Sequence, residues 1–81
     1  MKYYIIKPAS HKTDQLLIEG IKSMDNKADI VITLDEADIC ILQKGWTKSR
    51  ICIAEEHSAR AKGKKIREGY IYTDKYKVKL N

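Results

Sequence analysis

Two adjacent acids, Glu55 and Glu56, lie in a segment whose pattern is helical from about residue 49 to residue 62. Their neighbours differ. Glu56 has Arg60 four residues on, the spacing of a surface ion pair worth a few tenths of a kcal/mol. Glu55 has Ile51 and Ala59 four residues to either side and Cys52 three before it, so its side of the helix is apolar. A carboxylate placed there is expected to lean towards the sheet and the preceding loop. Loss of hydration would raise its pKa towards the range useful for catalysis. The plainer alternative is that Glu55 borders the core and reaches solvent or a lysine.

The loop before this helix, residues 43–48, carries the chain's one tryptophan beside a glycine. Gly45 permits a positive φ or a close backbone approach to a ligand. Trp46 can stack on a base or cover the core, and taken alone it reads as core. Thr47 and Ser49 can each cap the helix, and the free amides of its first turn suit an anionic or hydroxyl-rich group. His57 is two residues past Glu55, points elsewhere and reads as a surface or packing residue. Residues 62–65, Lys-Gly-Lys-Lys, lack the glycine spacing and preceding strand of a phosphate loop.

These residues need elements to hold them. Residues 39–42, Ile-Cys-Ile-Leu, suit a buried strand, Gly63 stops the helix, and residues 64–66 read as another short strand. That is a strand–loop–helix–strand unit of a parallel α/β sheet. Ligands in such sheets sit where a strand's carboxyl end meets the next helix, so residues 44–49 are the expected site. Earlier in the chain, residues 2–7 form a strand candidate ended by Pro8, and residues 10–24 a helix capped by Ser10 or Thr13, with Leu16, Leu17, Ile21 and Met24 as its apolar stripe. Residues 29–34 read either as a strand antiparallel to 39–42 or as a short helix feeding it, because three residues are too few for a parallel crossover. Residues 70–72 and 76–80 read as a terminal hairpin or as two strands meeting at a tight turn.

The 81 residues allow one domain, 1–81, and a chain this small gains burial by assembling, so a homo-oligomer is expected. With 43% hydrophobic and 33% charged residues, and no run near the ~18 apolar residues of a membrane span, the chain reads as soluble, cytoplasmic and without a membrane partner. Cys40 and Cys52 read as buried free thiols; no metal site and no cofactor are expected. The net charge of +5 is spread over both ends and reads as a lysine-rich surface, which disfavours a nucleic-acid partner.

The run Ala37-Asp38-Ile39-Cys40-Ile41-Leu42, followed by Gly45-Trp46, Ser49, Glu55 and Gly63, resembles the signature of small bacterial and phage proteins in the nucleoside 2-deoxyribosyltransferase-like superfamily. Glu55 falls nine residues after Trp46 and Gly63 eight after Glu55, as that pattern asks, and Lys2, Tyr4, Ile5 and Pro8 match its opening strand and turn. Departures stand at Lys7 and Ile51, where the pattern has glycine, at Lys44, where it has proline, and at Ser49, where transferases carry a base-contacting acid. The resemblance implies a small, truncated flavodoxin-like sheet, mostly parallel, with flanking helices. It implies Glu55 as the nucleophile on a sugar's anomeric carbon, and Tyr4, Pro8, Asp29, Gly45, Trp46 and Ser49 as substrate-binding residues. It tips residues 29–36 towards a short helix. The ligand expected is a nucleoside or nucleotide, and the competing expectation is a non-catalytic module that binds such a ligand or a protein.

Overall fold

The computed structural model describes residues 1–73. Its centre is a four-stranded sheet in which every pairing is parallel. The strands are β1 (Lys2–Ile6), β2 (Asp29–Ile30), β3 (Ile39–Leu42) and β4 (Lys65–Glu68), in the spatial order β2-β1-β3-β4. Helix α1 (Gln15–Met24) joins β1 to β2, and helix α2 (Arg50–Ala61) joins β3 to β4.

Strand alternation divides the core in two. Tyr3 and Ile5 of β1 and Ile39 and Ile41 of β3 point to one face, where they meet Leu17 and Ile21 of α1 and Tyr72. Ile6, Cys40 and Leu42 point to the other, against Cys52 and Ala59 of α2. Ile6, Ile21, Ile41, Cys40 and Cys52 are fully enclosed. Each large one contributes about 1.5–3 kcal/mol of transfer free energy. Both cysteines are free thiols.

Helix ends follow local chemistry. The cap of α1 is Asp14, whose carboxylate accepts the Leu16 N–H at 3.0 Å, so neither Ser10 nor Thr13 caps it and the helix begins at Gln15, not at residue 10. α2 is capped by Ser49, whose Oγ accepts the Cys52 N–H at 3.3 Å. Removing that oxygen in Ser49→Ala should cost about 1 kcal/mol, read as a shift of the urea midpoint at unchanged slope. At its far end Gly63, φ +73°, donates to Arg60 C=O while the Lys64 N–H donates to Ala59 C=O. This paired closure needs a left-handed residue after the helix, which explains the stop at Gly63.

Residues 29–36 contain both structures considered from the sequence, placed differently from either expectation. Asp29 and Ile30 form a two-residue strand parallel to β1, on the flank away from β3. The chain then bends at residues 32 and 33, makes a 3₁₀ turn (Leu34–Glu36) and crosses β1 to enter β3. Ending β2 at Ile30 leaves eight residues for the crossover, which a longer strand would have consumed. The crossover is fastened by Lys64, whose Nζ donates to the carbonyls of Asp35 and Ala37 at 3.0 and 2.7 Å, and by an ion pair between Lys62 and Asp35.

Residues 70–73 are helical and not the first strand of a hairpin. The amides of Tyr72 and Thr73 both return to Gly69 C=O, and the ring of Tyr72 packs edge-on to Tyr3 at 6.4 Å. Burial of Tyr72 overrides the strand preference of Tyr-Ile-Tyr. Residues 76–80, the expected second strand, lie outside the described residues. Among the described residues no helix is long and apolar enough to cross a membrane.

Candidate functional site

Tyr4 sits mid-strand in β1 with its side chain on the α2 face, and Glu55 lies one turn into α2. The Tyr4 hydroxyl donates to Glu55 Oε2. The pair borders a cleft of about 480 Å³ at the carboxyl end of β1. Ile51 of α2 and residues 30–32 form apolar walls; Lys7 and Thr13 add a cation and a hydroxyl. Burial, and then the hydrogen bond to Glu55, hold the Tyr4 phenol well above its ordinary value, so it stays a proton donor at neutral pH. A phenol fixed in this way orients one carboxylate oxygen and leaves Oε1 for a ligand.

The other residues singled out from the sequence are distributed differently. Ser49 is occupied by capping. Trp46 packs on the core cluster of the α2 face and does not line the cleft. Gly45 takes φ +97° beneath the His11 ring, 3.1 Å from where a Cβ would stand. Pro8 is buried in the turn after β1, and its carbonyl accepts the His11 N–H at 3.0 Å. Asp29 pairs with Lys2 at the amino end of β1 and does not line the cleft. The cleft thus brings Tyr4 and Glu55 together and leaves the other five outside its lining.

Gln43 accounts for part of this. It directly follows β3, where β1 and β3 send their connections to opposite faces, the customary ligand crevice of an open parallel sheet. Its buried amide accepts from the Asp14 N–H and donates to Lys12 C=O, both at 3.0 Å. Gln43 thus clasps residues 12–14 at that crevice, and the cleft bordered by Tyr4 and Glu55 lies on the other flank of β1. Glu56 also differs from expectation. It is 4% exposed, covered by Arg60, which donates Nε and Nη2 to Oε1.

Among the described residues, three tyrosines with raised pKa values give a pH dependence. Tyr3, buried and bonded to Asp25, is pushed up to about 12; burial raises Tyr72 as well as Tyr4. A raised folded-state pKa means that the folded state keeps protons that the unfolded chain releases near pH 10. The stabilisation is complete below about pH 10 and is lost as pH rises towards 12. Urea midpoints should fall steadily over that interval, and less steeply in Tyr3→Phe.

Among the described residues no group of three His, Cys, Asp or Glu side chains could hold a metal ion. Comparison with protein-family models, with curated proteins and with solved structures finds no match to the chain.

Proposed function

We propose that the chain acts at an N-glycosidic bond of a nucleoside or nucleotide, with Glu55 as nucleophile and Tyr4 as the residue that positions it. The observation carrying this reading is the Tyr4–Glu55 hydrogen bond at the rim of a nucleoside-sized cleft. Glu55 Oε1 attacks the anomeric carbon and the C–N bond breaks. The bonding pair goes to the base nitrogen, which takes a proton from solvent. Water then attacks the glycosyl ester, restoring the carboxylate and releasing a proton; a second base in place of water makes the reaction a transfer. The strand order β2-β1-β3-β4 supports the resemblance, since it follows the first four strands of the flavodoxin-like order.

Incubation with a panel of nucleosides and nucleoside monophosphates, followed by chromatography, should show free base. No release from any member would remove the proposal.

A second reading, a non-catalytic module that binds a ligand or a protein, is favoured by one observation. Ile32 and Ile51, at the cleft wall, are 90% and 71% exposed. Two exposed isoleucines beside one opening are a candidate contact surface. Under this reading Glu55→Gln leaves binding intact, and there is no turnover to lose.

A further inference from the structure

The cleft has a second recognition element, which lies in the main chain. Residues of β1 turn their backbone groups to alternate flanks. Lys2 and Ile6 face β3, their carbonyls accepting from Asp38 and Gln43 at 2.8 and 3.0 Å. Met1 and Tyr3 face β2, their carbonyls accepting from Asp29 and Val31 at 2.9 and 2.8 Å. Ile5 and Lys7 belong to this second set, but β2 has ended and the chain has bent away over β1. The Ile5 N–H, the Ile5 C=O and the Lys7 N–H therefore have no partner among the described residues, and both residues line the cleft. Unpaired backbone groups beside apolar walls are costly unless something bonds them.

We propose that this short edge of β1 reads the flat ring of the ligand, with Ile5 C=O accepting from the ring's donor and Lys7 N–H donating to the acceptor beside it. A carbonyl and the amide two residues on present the complement of an adjacent donor–acceptor pair. Each common nucleobase carries such a pair on its pairing edge. An added peptide strand would find two residues to bond before Pro8, too few for a stable ladder, whereas a single ring needs no more. Ile32 and Ile51 line the same cleft and offer apolar contact to the ring. The assignment rests on the cleft being a nucleoside site; it does not require Glu55 to be catalytic.

The test has a ligand arm and a protein arm. In the first, the intact protein is titrated calorimetrically with adenosine, guanosine, cytidine and uridine. The same is done with N6,N6-dimethyladenosine, 1-methylguanosine, N4,N4-dimethylcytidine and 3-methyluridine, in which methylation removes the donor. At least one parent nucleoside should bind, and its methylated form about tenfold more weakly or worse. In the second arm, Lys7→Ala removes the ammonium and keeps the N–H, whereas Lys7→Pro removes both. The proline variant should bind about tenfold more weakly than the alanine variant. Their melting temperatures should be similar, because the lost N–H bonds nothing in the fold. If Lys7→Pro fails to fold, the methylated ligands still decide. Equal binding of parent and methylated nucleosides, equal binding by the two variants, or no binding of any parent nucleoside overturns the assignment. Edge-dependent binding without base release would keep it and remove the catalytic reading. Base release indifferent to methylation and to proline would do the reverse.

Discussion

Glu55→Gln should reduce base release by about a thousandfold or more while nucleoside affinity stays within a few-fold of the native protein. Glutamine keeps the size of the side chain and an oxygen to accept the Tyr4 hydroxyl, so the cleft keeps its shape. What it loses is the charge and nucleophilicity needed at the anomeric carbon. Tyr4→Phe is the informative companion. It leaves the carboxylate in place but removes the bond that fixes it, so turnover should fall by about ten- to a hundredfold. Single-turnover base release and equilibrium binding, measured on both variants, separate the two roles. A Glu55→Gln protein that releases base at the native rate would exclude Glu55 as nucleophile.

The largest stability effect is expected at a residue that local rules would favour changing. Gly20 lies inside α1, where alanine is preferred by about 1 kcal/mol. In this fold a Cβ at position 20 would stand 2.6 Å from the Tyr72 carbonyl oxygen and 2.9 Å from its carbon. Those are backbone atoms, so no rotamer change relieves the clash. Either α1 lifts from the sheet or residues 70–73 move, and the Tyr3–Tyr72 contact opens. Overpacking of this kind costs about 1–3 kcal/mol, and with lost burial of Tyr72 it outweighs the propensity gain. Gly20→Ala should therefore destabilise by about 2 kcal/mol, lowering Tm by roughly 8–16 °C in a domain of this size. A Tm at or above the native value would show that residues 70–73 do not pack on α1.

Much of the architecture is legible in the sequence because it depends on short-range patterns. The alternation in Lys2–Ile6, the apolar run Ile39–Leu42 and the apolar face of α2 closed by Gly63 specify strand, strand and helix before any tertiary contact is known. Where the reading departs from the structure, a distant partner decides. Asp14 caps α1 while its own amide is held by Gln43, a residue 29 positions on. Residues 70–72 have the composition of a strand, yet Tyr72 turns into a helix to reach Tyr3. Glu56 has the spacing of a surface ion pair, yet it is buried under the arginine that pairs with it.

The candidate site divides along the same line. Glu55 is legible from its apolar helix neighbours and Tyr4 from the resemblance, which assigns both to one site; the hydrogen bond between them is not. The open edge at Ile5 and Lys7 was not legible at all. It arises from where β2 ends, and backbone groups carry no side-chain signature.

The all-parallel pairing has a consequence for how the chain acquires its shape. In β1, Tyr3 meets Ile30 on one flank and Ile39 on the other, while Ile39 of β3 meets Lys65. Among these strands no tight turn can start the sheet, and each pairing must first close a loop of more than twenty residues. A chain emerging from the ribosome amino end first exposes β1 well before either neighbour exists. KYYII, an apolar strand with both edges open, would spend that interval as the segment most prone to mispair. Early formation of α1, which covers one face of β1 through Leu17 and Ile21, is the protection the fold provides.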